Sequence, residues 1–470
     1  MFRTFILVGE IFGLLLVPVI LVRKRHPVSA WAWALTVVFI PWLGALLFLV
    51  FGAQRIRRRL RRKLYHRSRF LKLWTTAAGV RKTGAESSAW AGMDAFALRV
   101  GGSPVSEGNE LTFYFDGEEA FSAKRDAIRA AEKHVHVEYF ILKDDATGAE
   151  FTDLLCEKAR AGVAVRLLVD AVGARRAGRL LRRLRQAGGR AVEFLPMRLG
   201  GERFAPGLRN HRKILVCDGT TAFTGGLNVA NEYVNRSSRF RFWRDTHARV
   251  RGPAVLALQR VFAEDWDFAA NELISGNSYY PEPHANGRER VQVVWSGPDQ
   301  ENNATRETFF EAMTSARRRL WIATPYLVPD SALLMALRSA AVRGADVRIL
   351  TQSWPPDHQI AYWAGRYFWE ELLSSGVRIY EYGEGMMHAK VVLADGAWAS
   401  MGTANLDVRS IRLNFEVNLN LHSRGAIEAL ETAFRRDLRA SREVRLGAFR
   451  RRPWWEHFAE NVCRLFSPLL

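Results

Sequence analysis

Cysteine is scarce in this chain, with three residues in 470 (Cys156, Cys217 and Cys463), all in apolar surroundings. Three such thiols make no disulfide framework, and no Cys/His spacing has the form of a metal site. A reducing compartment and a chemistry with no metal and no cofactor are expected. Nucleotide-binding motifs are also missing, which leaves no obvious site for a nucleoside triphosphate. Acidic residues are in deficit, 48 Asp and Glu against 68 Lys and Arg, for a formal charge of +20. The deficit is sharpest over residues 53–82, which hold twelve Lys or Arg and no Asp or Glu. Such a block suits a polyanion, either nucleic acid or an anionic lipid surface.

Charge is nearly absent from two stretches at the amino end. Residues 4–22 are interrupted only by Glu10, and residues 29–51 carry no charge. Both match the hydrocarbon thickness of a bilayer, with Trp31, Trp33 and Trp42 as interfacial anchors. No small-x-small cleavage site follows the first stretch and a second comes at once, so a two-helix transmembrane hairpin is expected rather than a signal peptide. The hairpin loop has Arg23, Lys24 and Arg25, but the larger basic cluster follows the second span. That cluster should stay in the cytoplasm, together with the domain behind it. A basic stretch abutting a membrane span points to anionic lipid before nucleic acid, although setting topology would explain it alone.

The strongest signal is a repeat. His211-Arg212-Lys213, then Asp218-Gly219, Gly225-Gly226 and Asn228, recur 177 residues later as His388-Ala389-Lys390, Asp395-Gly396, Gly402-Thr403 and Asn405. In extended chain, residues two apart share a face, so each His projects with its Lys. Ile214–Cys217 and Val391–Ala394 read as buried strands, and each Asp-Gly as a turn. Two imidazoles, two ammoniums and two carboxamides suit a phosphodiester. Lys and Asn would hold non-bridging oxygens, one His would attack and the other would manage the leaving group's proton. Asp218 and Asp395 complete the motif and join the candidate catalytic set. Each falls an odd number of positions from its His, immediately before Gly, which favours a turn or scaffold role.

At this length more than one domain is expected. Alternating patterns predict helix 118–133, strand 134–142, helix 149–161, strand 163–169, helix 174–187 and strand 191–195 before the first motif. Before the second they predict strand 291–295, helix 304–318, strand 320–324, helix 331–343, strand 346–351, helix 359–375 and strand 377–382. A second matched pair, 161–168 and 343–350, strengthens the reading of an internal duplication. The boundaries follow as a hairpin at 1–52, a basic segment and connector at 53–110, a first lobe at 111–270, a polar linker at 271–289 and a second lobe at 290–470 with a basic helical tail.

The duplicated H-x-K-x4-D pattern resembles that of the phospholipase D superfamily. The hairpin, Asn210-His211-Arg212-Lys213, Trp243-Arg244-Asp245, Ser296-Gly297-Pro298-Asp299, Thr324-Pro325-Tyr326, Gly402 to Asp407 and the ending Arg464 to Leu470 are similar to bacterial cardiolipin synthases over essentially the whole chain. The resemblance implies an α/β fold of two tandem α/β/α sandwich lobes, set in the bacterial inner membrane. It implies that two phosphatidylglycerol molecules become cardiolipin and glycerol through a phosphatidyl-histidine, without nucleotide or metal. By analogy with relatives His211 attacks and His388 is the acid and base, though the residues alone do not break that symmetry. Gly225-Gly226 replaces the superfamily's commoner Gly-Ser, as in such synthases.

A histidine nucleophile needs its far nitrogen held by an acceptor. Asp245 and Glu416 lie 34 and 28 residues after the His of their own half, where members of the superfamily often place that carboxylate. The resemblance implies that each orients that His; plain salt bridging with Arg244 or Arg412 is the other reading. Asn228 and Asn405 are expected at the phosphate. The aromatic run Tyr362, Trp363, Tyr367, Phe368, Trp369, and likewise Trp454, Trp455 and Phe458, reads as core at helical spacing, with an acyl route as the other reading. Alternatives remain: a hydrolytic phospholipase D, differing in water access, or a phosphatidyltransferase using another donor or acceptor such as phosphatidylethanolamine. A nuclease of the superfamily would not bring the membrane hairpin, a scaffold would not need two intact motifs, and the metal-dependent cardiolipin synthases need a D-G-x2-A-R signature that is missing here. Oligomeric state is not legible.

Overall fold

The computed structural model describes residues 2–23, 27–49, 90–196, 207–300 and 302–470. The basic cluster 53–82, like Lys24 and Arg25, lies outside them. The chain forms two compact units, Met1–Tyr65 and His66–Leu470.

In the first unit, helix Phe2–Arg23 is followed by Pro27–Phe39 and Pro41–Leu47. Pro41 has no N–H to donate, so the second apolar stretch breaks at Ile40 instead of forming one span. Among the described residues, no helix is long and apolar enough to cross a membrane. Glycine brings the helices into backbone contact: a Cβ on Gly13 would lie 2.2 Å from the carbonyl oxygen of Val37. Leu14, Leu15, Leu21, Val22, Phe39, Leu46 and Leu49 face outward, so this unit is apolar on its surface.

The second unit is α/β, built on one 16-stranded sheet. The first half runs from Arg190–Phe194 through Ala164–Asp170, His134–Tyr139, Ile214–Cys217, Thr221–Gly225 and His247–Arg251 to Ser106–Tyr114. The second runs from Arg378–Tyr382 through Asp346–Thr351, Arg319–Ala323, Val391–Ala394, Trp398–Gly402 and Asn414–Leu421 to Glu289–Ser296. Both keep the same order: three parallel strands, then an antiparallel hairpin carrying the repeated motif. They join where Ser106–Tyr114 pairs with Glu289–Ser296, so 271–289 connects two halves of one sheet. The stretch read as a connector holds the helix Ala91–Val100 and the start of the strand at Ser106.

Strand alternation explains why the motif strands are apolar throughout. Ile214 and Val216 enter a core shared by both halves, while Leu215 and Cys217 enter the first half's own core. Val391 and Leu393 likewise face the shared core, and Val392 and Ala394 the second half's. A strand covered by helices on both faces needs apolar residues on both. The predicted helices and strands appear within a few residues of their expected ends, and equivalent helices start alike. Asp145 caps Ala146–Arg160 and Asp330 caps Ser331–Val342, each accepting a backbone N–H of the first turn.

Candidate active site

Two very short ladders position the histidines. Arg209–Asn210 runs parallel to Asn414–Phe415, and the next amide, of His211, donates to the Phe415 carbonyl at 2.9 Å. Met386–Met387 runs parallel to Trp243–Arg244, and the His388 amide donates to the Arg244 carbonyl at 2.7 Å. Each histidine is therefore strapped to the other half of the molecule.

The carboxylates follow the straps. His211 Nδ1 lies 2.9 Å from Glu416 Oε2, and His388 Nδ1 lies 2.6 Å from Asp245 Oδ2. This corrects the expected pairing: the same two acids orient the imidazoles, but each serves the histidine of the opposite half. With Nδ1–H donated to a carboxylate, Nε2 of each ring keeps its lone pair. Phe140 packs edge-on against His211, and Tyr233 and Trp243 pack against His388.

Lys213 Nζ donates to the His211 carbonyl at 2.6 Å, and Lys390 Nζ donates to the His388 carbonyl. Both lysines are buried. The two halves converge electrostatically, because Lys390 acts on His211 and Lys213 responds to both Glu416 and Asp245. Burial pushes His211 down to about 4, against the pull of Glu416. Burial and then Lys390 lower His388, against Asp245. Burial also takes Lys213 down to about 7 and Lys390 to about 8. For the carboxylates burial acts upward but is outweighed: Lys390 and His388 hold Asp245 below its usual range, and His211 and Lys213 do the same for Glu416. The resting site thus pairs neutral imidazoles with carboxylate anions.

Four of the candidates make contacts to the scaffold. Asp218 and Asp395 stand at the far ends of the motif strands from the histidines. Each has positive φ and accepts three consecutive backbone N–H groups, from Glu132, Lys133 and His134 or from Arg317, Arg318 and Arg319. They pin the start of the neighbouring strand, the scaffold role their parity favours. Asn228 accepts from the Ile141 amide and donates to the Tyr233 hydroxyl, and Asn405 donates to Asp407. Through these contacts the carboxamides brace the loops after the motif strands.

The Gly-Gly departure has a local cause. A Cβ on Gly226 would lie 2.0 Å from Asp245 Oδ1, whereas at the matching position Thr403 donates its hydroxyl to Glu416 at 2.6 Å. Asn414 adds a second donor to Glu416 at 3.1 Å. Thr403 and Asn414, the aromatic residues on the imidazoles and Arg212 were not singled out as site residues; the Thr403 hydroxyl at a motif position was the one available clue. Gly226→Ser, which restores the superfamily's commoner residue, is expected to displace Asp245 and lower kcat by about 10- to 100-fold with little change in KM. Steady-state kinetics on the purified variant check this.

A family model described as "Cardiolipin synthase, PLD-like domain" matches residues 125–266 and 309–438, and one described as "Phospholipase_D-nuclease N-terminal" matches 11–52. The cardiolipin synthase of Halalkalibacterium halodurans is 37% identical over 96% of this chain and 91% of its own length. The chain belongs to the cardiolipin synthase family. The major cardiolipin synthase ClsA of Bacillus subtilis (strain 168) is 36% identical and matches over 98% of both chains. Among solved structures, the phosphatidylserine synthase of Haemophilus influenzae Rd KW20 shares the fold at 16% identity and TM-score 0.57, over 77% of this chain and 95% of that one. The enzyme is a membrane-associated phosphatidyltransferase whose product is cardiolipin.

Lysines held near neutrality give ligand binding a sign. With burial lowering both lysines toward neutrality, part of each is uncharged at pH 8. A bound phosphodiester anion favours the charged ammonium and raises both pKa values, so binding takes up protons. Calorimetry with a short-chain phosphonate analogue, in buffers of different ionisation enthalpy at pH 8, should report uptake of roughly one proton or more. Net release would contradict the buried-ammonium site.

Proposed function

We propose that the enzyme joins two phosphatidylglycerol molecules through a phosphatidyl-histidine on His211. The crossed His–carboxylate pairs carry this reading, because they give the two imidazoles matched tautomers with both Nε2 atoms free. His388 first takes up a proton on Nε2 and becomes an imidazolium held by Asp245. His211 Nε2 then attacks phosphorus, the P–N bond forms, and the P–O bond to glycerol breaks as His388 passes that proton to the departing oxygen. His388 then takes the proton of the second phosphatidylglycerol's hydroxyl. That oxygen attacks phosphorus, the P–N bond breaks and His211 is restored. Lys213 and Lys390 hold the non-bridging oxygens, where charge grows in the transition state. One phosphodiester replaces another at little net free energy, which fits a chain without a nucleotide motif.

The first unit supports the expected membrane hairpin by its outward apolar side chains and its glycine contacts, the packing mode of helices in lipid. We place both termini of that hairpin and the catalytic unit on the cytoplasmic side, as the basic surplus after the second apolar stretch requires. The test is a product assay. Purified enzyme in mixed micelles with labelled phosphatidylglycerol, a chelator and no nucleotide should yield cardiolipin and free glycerol in equal amounts. Phosphatidic acid as the sole lipid product would make it a hydrolase, and turnover only with added phosphatidylethanolamine would change the substrate.

A further inference from the structure

Helix Trp454–Arg464 is turned inside out relative to the helices of the core. Its acids point inward. Arg366, on helix Gln359–Ser374, donates to Glu456 and, at 3.1 Å, to Glu460, and Arg452 reaches Glu460 at 2.9 Å. Its apolar face points to solvent: Trp454 is 77% exposed and Phe458 64%, with Trp455 and Val462 beside them. Leu465, Phe466 and Leu469 continue the exposed face beyond the helix. Contrary to the expectation of a core role, these residues bury little of themselves. By contrast, Tyr362 and Trp369 on the supporting helix are buried.

The patch connects to the active site through packed side chains. Trp455 packs on Trp363, and Trp363 on Trp354, which is itself 53% exposed. Three residues further on, Asp357 accepts the Tyr326 hydroxyl, and its charge acts on His388 and Lys390. The other end is tied down as well. Arg409 holds the carbonyls of Leu469 and Leu470 and belongs to the short helix that Asp407 caps. Asp407 in turn accepts from Asn405 of the second motif at 3.0 Å.

Large exposed apolar patches need a partner. The chemistry here selects one: tryptophan and phenylalanine fringed by the exposed Arg445, Arg450, Arg451 and Arg464. Aromatic residues favour the boundary between headgroups and acyl chains, and arginine favours anionic headgroups beside it. We propose that this face seats the catalytic unit on an anionic phospholipid bilayer, and that lipid reaches the His388 side of the site along the Trp455–Trp363–Trp354 edge. The delivery of substrate rests on the phosphatidyl-transfer reading above; the seating does not.

Two measurements on the full chain test it. A nitrobenzoxadiazole label on Phe458→Cys, in a Cys463→Ser background that leaves only the buried Cys156 and Cys217, reports the environment of the patch. In proteoliposomes containing phosphatidylglycerol it should be blue-shifted and quenched by doxyl groups on the acyl chains. The same label on Met335→Cys, an exposed position on Ser331–Val342, should stay aqueous. An aqueous label at 458 would overturn the seating. So would shielding that grows with protein concentration without lipid, which would make the patch a contact between copies.

The second measurement compares Trp454→Ser/Trp455→Ser/Phe458→Ser with the parent enzyme. Its kcat/KM on long-chain phosphatidylglycerol in vesicles should fall about tenfold or more, while short-chain phosphatidylglycerol below its micelle concentration is turned over within about twofold of the parent rate. Equal loss on both substrates, or no loss on vesicles, would overturn the delivery route. If the parent enzyme itself does not use phosphatidylglycerol, the substrate reading fails, and the quenching result still decides the seating.

Discussion

Given an aryl phosphodiester lipid in place of phosphatidylglycerol, the His388→Ala enzyme is expected to form and accumulate a phosphatidyl-enzyme, whereas His211→Ala forms none. An aryl oxide leaves without a proton, so the substrate bypasses the acid but not the nucleophile. The intermediate then waits, because His388 is missing as base for the acceptor hydroxyl. On phosphatidylglycerol both variants should lose roughly a thousandfold or more in kcat/KM. The crossed carboxylates extend the same experiment. Glu416→Gln should behave like His211→Ala and suppress the burst of aryl alcohol, because Glu416 holds His211 Nδ1. Asp245→Asn should behave like His388→Ala and keep the burst, because Asp245 holds His388. Rapid quenching gives the burst, and peptide mass spectrometry locates the lipid phosphate. A burst that survives in His211→Ala, with the label on the peptide of residue 388, would invert the two roles. A burst lost in Asp245→Asn and kept in Glu416→Gln would break the crossed pairing.

That pairing marks where sequence stops being informative. Periodicity located the strands and helices of both halves, because a strand covered on two faces must be apolar along its length, as Ile214–Cys217 and Val391–Ala394 are. The repeat located both histidines and both lysines, and the family resemblance picked out Asp245 and Glu416. Chain order does not say which strand lies beside which. Ladders two residues long, such as Met386–Met387 against Trp243–Arg244, leave no periodic trace, yet they decide which acid faces which imidazole. Asn228 and Asn405 show the same limit. A carboxamide near a glycine shows no partner in sequence, and only the fold reveals the Tyr233 hydroxyl or the Asp407 carboxylate that each one bonds. The outward aromatics of 454–458 are hidden from sequence for a related reason. Helical spacing identifies a face, but it does not say whether protein or lipid covers it.

Beneath His211, Arg212 is fully enclosed beside two acids, Asp265 and Glu138. It pairs with Asp265, donates to the Ser296 carbonyl at 3.1 Å, and holds the Glu416 carbonyl from Nε at 3.2 Å. Glu138 sits against the same group, accepting from Asn210. Burial and the neighbouring Asp265 push Glu138 well above its usual range, which favours its protonated form. Glu138→Gln should therefore be nearly silent, within about 0.5 kcal/mol. Asp265→Asn should cost only about 1–2 kcal/mol, because Glu138, relieved of its neighbour, ionises and takes over Arg212. The double variant removes both carboxylates from a buried guanidinium and should cost about 3–5 kcal/mol, well beyond the sum of its parts. Denaturant unfolding of the three variants measures the cycle. Because Arg212 also positions the strand that bears Glu416, the double variant should lose kcat at temperatures where it is still folded. Two single costs that simply add would mean that the acids do not share the proton.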